Sequence, residues 1–446
     1  MPNTTASDEL LRQDALSTMS RYIQFDTTNP PGNELPASEW LRDQIVQRGI
    51  TRDATVYEPF PNRGLVVARI PGSEKLKPLM INHHIDVVAA DPAQWTYPPF
   101  SGAIADGFVW GRGTLDTKGL GIMFLLALES LIKDGVHFRR PIVMTAVPDE
   151  EAGGTGMKWL VENHAEAIDP EWVWDEGSGG LKGMFGSGIM FAVAVSEKTV
   201  LWLKLIATGD PGHGSMPHNN NANVTLVNAL KRIADSPRPL RVNSTAAAMF
   251  EAIASTQAFP DSWALRNLSN PIALWLASKR LTSDRLTHAL VRDTVSLNML
   301  NAGYKVNVIP EKAEASLDVR LLPETDPDEF VRWLKARIND DRIKIESIQI
   351  SAPSGVAPMD NPFYQAVTHA VHRHAPEAGV FPLLMSGATD GRYWRMRGYP
   401  AYGFGPCILE RPDVGRVHGI DERISADNLL LGIKMTRDML KELCAG

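Results

Sequence analysis

Cysteine is nearly absent: only Cys407 and Cys444 occur in 446 residues. One disulfide is arithmetically possible, but no framework of bridges can hold the fold, and a reducing compartment is the simpler reading. An excess of basic charge is also missing. Lysine and arginine total 45 against 52 acidic residues, a formal net charge of -7. That excludes the electrostatic footprint of a nucleic-acid-binding protein or of one held on an anionic membrane. No run of about 18 uninterrupted apolar residues occurs, so no membrane span is expected. The opening MPNTTASDELLRQDALSTMSRYIQF has acids inside its helical portion and no basic stretch followed by an apolar one. It does not read as a signal peptide, and a cytoplasmic protein is the expectation.

What is present is an ordinary globular composition, 44% hydrophobic and 22% charged. The chain is longer than the size at which single cores stop growing, so two domains are expected. Leu10, Leu11, Leu16, Met19 and Ile23 recur mostly at three and four residues and predict a helix over 8–23. A second helix is expected over 35–48. Strand-like runs follow at 64–70 and 78–82, a helix at 119–133, a strand at 141–146, a helix at 155–166 and a short strand at 172–174. This alternation predicts an α/β fold, a helix-covered and mostly parallel sheet with polar clusters at the carboxyl ends of its strands.

From residue 197 the pattern changes. Strand 200–208, helix 219–235, strands 294–300 and 313–321, helix 326–338 and strand 343–350 give the order of a small two-layer α+β domain. Residues 351–446 return to the earlier pattern. The expectation is a discontinuous catalytic domain, 1–196 and 351–446, with a lid or dimerisation domain inserted at 197–350. A Pro-, Ser- and Ala-rich passage and a longer helical stretch fill 236–290, and the lid's extra 240–290 stretch holds Met249, Phe250, Phe259, Trp263, Leu265, Leu274, Trp275 and Leu276. These are expected in lid core or at a subunit interface, with an apolar substrate pocket as the other possibility.

His84, Asp86, Asp116, Glu150, Glu151, Asp175, Glu176 and His418 mostly stand where an apolar run has just ended. Adjacent carboxylates beside buried strand repel one another and are costly to desolvate without a cation. Imidazole and carboxylate together suit zinc, with cobalt or manganese also possible. In an extended segment Asp86 points the same way as His84 and can hold its far ring nitrogen. Asp116 lies among Gly111, Gly113 and Gly119, where one carboxylate can offer an oxygen to each of two ions. The residues alone leave open a plainer reading, in which 149–151 is a charged helix start and the others are polar turns.

HIDVV at 84–88, WTYPPFSG at 95–102, GRGTLDTKG at 111–119, PDEEAGGTG at 148–156 and DEG at 175–177 stand in order. GDPGHGSMPH at 209–218, NVIPEKAEASLDVR at 307–320, SGATDGR at 386–392 and HGIDERI at 418–424 follow. In these nine segments the chain resembles the M20 family of metallopeptidases, the aminoacylase, carboxypeptidase and deacylase group. The resemblance implies two zinc ions bridged by Asp116. Glu151 and His418 would complete one site, and His84 and Glu176 the other, with Asp175 the alternative to Glu176. It implies Glu150 as general base and Asp86 as the group orienting His84. It also implies a lid histidine, His213, that steadies the oxyanion, often in the partner subunit's site, and hence a homodimer formed through the lid. Asn307, Arg320, Gly387 and Arg392 resemble residues lining the substrate pocket, either arginine being suited to a free carboxylate.

The expected reaction is hydrolysis of an amide next to a free carboxylate, in a dipeptide or alternatively in an N-acyl amino acid. A metal-stabilised binding protein without turnover is the remote alternative, since a closed structural site has no need of Glu150.

Overall fold

A computed structural model describes residues 6–184, 188–283, 285–351 and 353–446. Residues 1–5 of the opening segment and residue 284 of the 236–290 passage lie outside the described residues. The larger unit is built on a ten-stranded sheet. At its centre Ile142–Val147, Leu79–His84, Trp172–Asp175 and Ala401–Gly403 run parallel, in that spatial order. All six residues of Ile142–Val147 and all six of Leu79–His84 are buried, as parallel strands covered on both faces must be. The flanks are antiparallel where Ala54–Phe60 pairs with Arg63–Ile70 and where Ile189–Glu197 meets Gly180–Lys182. Ala54–Phe60 was not evident in the sequence because its residues are only partly buried and its alternation is weak.

Helices cover both faces. Ala6–Ile23, Leu35–Gln47, Lys118–Lys133, Pro362–His374 and Ala426–Cys444 pack on one side around a single large core. Lys118–Lys133 is buried along nearly its whole length, the requirement of a helix that is apolar all round. Thr155–Ile168 and Gly391–Arg395 cover the other face through Met157, Leu160, Val161 and Trp394.

The smaller unit is a four-stranded antiparallel sheet in the order Thr294–Ala302, Lys312–Leu321, Thr199–Thr208, Ile343–Ile350. Helices Ala222–Ala234 and Pro327–Ile338 bury Leu226, Ala229, Ile233, Phe330, Leu334 and Ile338 against one face. Residues 240–290 depart from expectation. Met249, Phe250, Ile253, Leu268 and Leu281 share a core with Met190, Ala192, Phe381 and Leu384 of the catalytic sheet. Their apolar face was legible in the sequence, but which sheet it meets was not, since either offers a similar surface. Phe259, Trp263, Trp275 and Leu276 are exposed rather than buried.

Candidate metal centre

Because the three central strands are parallel, their carboxyl ends lie on one edge of the sheet. His84 closes the first strand, Asp149-Glu150-Glu151 follow the second, and Asp175-Glu176 end the third. Asp116 stands just ahead of the Lys118–Lys133 helix. His418, at φ 58°, precedes Arg423–Ser425, which pairs with Phe108–Trp110 and so carries the C-terminal segment beside the Asp116 loop.

The side chains converge. His84 Nε2 is 3.0 Å from Asp116 Oδ1 and 3.2 Å from Glu176 Oε2. His418 Nε2 is 3.0 Å from the other oxygen, Asp116 Oδ2, and 3.1 Å from Glu151 Oε2. Glu150 stands in the group formed with His84 and Glu176. Asp116 therefore presents one oxygen to each half of the cluster. His84 Nδ1 lies 2.9 Å from the Asp86 main-chain carbonyl, which can only accept, so this nitrogen carries the ring proton. In a neutral ring the Nε2 lone pair then faces two carboxylates, an arrangement that calls for a positive charge between them.

The electrostatics point the same way. Burial, reinforced by Glu176, pushes Glu150 well above the usual carboxylate range. Burial likewise pushes Glu176 up, only partly opposed by His84. On His84 burial acts downward, but Glu176 and Asp116 override it and leave the imidazole raised. The donor set fits a pair of divalent ions. Separations of 3.0–3.2 Å between neighbouring donor atoms are close to the edge, about 3.3 Å, of a tetrahedron with ~2.0 Å arms.

Asp86 corrects one expectation. Its carboxylate Oδ1 is 3.7 Å from His84 Nδ1, and the bond to the ring comes from its main chain instead. The carboxylate accepts the main-chain N–H groups of Glu150 at 3.0 Å and Glu151 at 3.1 Å, and the Asn29 amide at 2.8 Å. Asp175, the alternative ligand, is taken up by Asn82 at 2.8 Å and by the Gly391 N–H, which leaves Glu176 facing the cluster. Arg392 is buried, 3.9 Å from Glu150, and donates to the carbonyls of Thr389 and Gly153. Gly387 stands beside open space.

The lid residues are not brought to the cluster within this chain. His213 is exposed in a two-residue strand paired with Val308–Ile309, and Asn307 lies next to it, accepting the Gly214 N–H at 2.9 Å. Arg320 is paired with Asp318 at 2.8 Å. None of the three lines the cavity at the cluster.

Supporting residues went unnoticed in the sequence. Glu422, fully buried, accepts the N–H groups of Gly113, Leu115 and Asp116 at 2.7–3.2 Å and pairs with Arg112. Arg63 and Asn29 both donate to Asp149, at 2.8 and 2.9 Å, and Arg63 also pairs with the buried Glu34 at 2.8 Å. For Glu422 the only available signal was that HGIDERI carries two carboxylates, Asp421 and Glu422, among turn residues. Its contacts span some 300 positions, a distance that no local pattern reports.

A cavity of about 330 Å³ opens on the cluster. Asp116, Glu150, Glu151, Glu176 and His418 line it together with a largely apolar wall from Leu120, Met123, Leu181, Leu409, Val414 and Ile424.

A family model described as "Peptidase family M20/M25/M40" matches residues 80–442. The chain belongs to this family. It is 33% identical over 366 residues to "Probable carboxypeptidase S-like 2" of Dictyostelium discoideum, covering 80% of this chain and 69% of that one. It is 34% identical over 375 residues to the N-fatty-acyl-amino acid synthase/hydrolase PM20D1 of Xenopus tropicalis, covering 81% and 72%. Among solved structures, an M20 family metallo-carboxypeptidase, Sso-CP2 from Sulfolobus solfataricus, superposes with a TM-score of 0.73 at 18% identity, over 96% of this chain and 98% of the other. This M20 member is a metal-dependent hydrolase of amide or peptide bonds with a candidate two-metal active site.

Proposed function

We propose that the chain hydrolyses N-acyl amino acids whose acyl group is a long apolar chain. The observation that carries this reading is the apolar cavity opening directly on the metal cluster. A dipeptide has little use for it, whereas an alkyl chain gains about 0.8 kcal/mol for each methylene withdrawn from water. The printed name of the Xenopus tropicalis relative supports the same substrate class. Acyl amino acids and dipeptides, each assayed with and without chelator, test the reading. Turnover that rises with acyl length is expected; turnover confined to dipeptides would overturn it.

In this reading His84 and Glu176 would hold one ion and His418 and Glu151 the other, with Asp116 available to both. Two zinc ions would supply Lewis acidity and a nucleophile at neutral pH. Glu150 takes the proton of the attacking water and returns it to the departing nitrogen. Asp86 orients Glu150 and Glu151 through their main-chain N–H groups. Arg392 fixes the loop behind Glu150, while Gly387, Asn307 and Arg320 receive the carboxylate end of the substrate as the lid closes.

His213 serves as oxyanion donor in a partner's site. The chain is read as a catalytic domain, 1–196 and 351–446, with a lid at 197–350 that pairs two copies. Thr294–Ala302 is an edge strand with Leu297, Met299 and Leu300 exposed, and Val224 and Val227 stand exposed on the neighbouring lid helix. An open apolar edge of this kind is a template for pairing with a second copy. No helix among the described residues is long and apolar enough to cross a membrane. Both cysteines are free, in keeping with the cytoplasm.

A further inference from the structure

The wall of the cavity contains a contact with no part in the chemistry. The Lys118–Lys133 helix contributes Leu120 and Met123 to the lining, and the next residue on that face, Ala127, is buried behind them without reaching the cavity. Met123 is thus the last residue of this helix that lines the cavity. It lies back against the Ala426–Cys444 helix at Gly432, where a methyl group would stand 2.7 Å from Met123 Cε, 2.9 Å from Cγ and closer still to Sδ. The seat therefore exists only because residue 432 has no side chain. Helix interiors disfavour glycine by about 1 kcal/mol relative to alanine, so the choice runs against local propensity.

We propose that the Met123–Gly432 contact sets the depth of the cavity and hence the longest acyl chain the enzyme accepts. The inference rests on the acyl-chain reading above and deepens it. Met123 is a flexible, unbranched side chain whose end can swing between a seat on the neighbouring helix and the cavity it lines. While it is seated on Gly432 the cavity keeps its length. A side chain at 432 removes the seat and turns the thioether into the space that the far end of an alkyl chain occupies. Removing the methionine side chain instead extends the cavity toward Ala127.

The test compares Gly432→Ala, Met123→Ala and the double variant in the metal-loaded full chain. Two series are measured: kcat/KM for N-acyl amino acids from acetyl to palmitoyl, and calorimetric affinity for free saturated fatty acids of six to sixteen carbons. Each buried methylene multiplies affinity by about fourfold. Wild type should rise with length and then break. Gly432→Ala should break at least two carbons earlier, with longer chains weakened about tenfold or more and acetyl and butyryl substrates unchanged. Met123→Ala should break later. In the Met123→Ala background, Gly432→Ala should change nothing, because no thioether remains to be displaced. Should Gly432→Ala not fold, Met123→Phe, which fills the same space from the other side, must show the early break.

Identical breaks in all variants, with acyl chains still hydrolysed, would overturn the depth role and leave the function standing. Shifted breaks in fatty-acid binding without acyl hydrolysis would support the depth role and sink the proposed reaction. Wild type that binds no fatty acid and cleaves only dipeptides would overturn both.

Discussion

His84 and His213 carry the same imidazole, and the fold treats them in opposite ways. His84 is 1% exposed, its ring proton committed to the Asp86 carbonyl and its other nitrogen aimed at two carboxylates. His213 stands in an exposed ribbon of the lid, its Nδ1 2.7 Å from the Ser215 hydroxyl and no metal-cluster residue against it. The catalytic rim is thus assembled before any substrate arrives: buried neighbours hold His84, Asp116 and Glu151, while His418 is half exposed. The smaller unit leaves His213 accessible instead. Preorganisation suits charges that are costly to gather; an exposed arm suits a group needed only when the site closes.

The contrast can be broken or sharpened by experiment. The largest effect is expected at the rim. Glu150→Ala should lower turnover by about 10³-fold or more while elemental analysis still finds two ions per chain. Loss of an ion in that variant would make Glu150 a ligand. Glu422→Ala removes the acceptor of three buried N–H groups and the partner of Arg112, and should cost roughly 3–5 kcal/mol in denaturant unfolding. No comparable loss is expected at any exposed lid residue. His213→Ala should reduce kcat by about 10²-fold with metal content and melting temperature unchanged. Mixing it with Glu150→Ala should restore activity if the arm crosses to a partner, and exchanged subunits that stay inactive would place it in its own site.

A pH effect separates the regions as well. Burial, with Asp86 nearby, pushes Glu34 up to about 8 from an ordinary 4.5, despite Arg63. Between those values the folded protein holds a proton that the unfolded chain has released. Its contribution is complete below pH 4.5 and is lost as pH rises through 8. Glu34→Gln should flatten that decline in unfolding free energy. The smallest effect belongs to the lid surface, where Lys231→Ala breaks an exposed pair with Asp235 and should change stability by about 0.5 kcal/mol or less.

Legibility followed the same divide. The helix and strand periods gave the core elements, and parallel strands ending in His84, Glu150 and Asp175 placed the cluster, because pattern and position are local properties. The identities of the gathered residues came from ordered motifs. Asp86 shows the limit: its spacing from His84 suggested a carboxylate–imidazole bond, yet two N–H groups from a neighbouring loop compete better for the carboxylate. Glu422, Arg63 and Asn29 were invisible because their partners lie some 30 to 310 positions away. The apolar residues of 240–290 were expected in lid core or at a subunit interface, and part of that set packs instead on the catalytic sheet.

Glu422 also constrains how the centre is held. It fastens the turn before Asp116 to the segment bearing His418, so two of the five donors are set by one buried carboxylate from the far end of the polypeptide. His84, Glu151 and Glu176 come from residues 84–176, but the half of the cluster facing His418 needs the segment that Glu422 holds. The half of the cluster at His418 is therefore tied to the C-terminal segment, and a cut near residue 415 would loosen both His418 and the Ala426–Cys444 helix that packs in the main core.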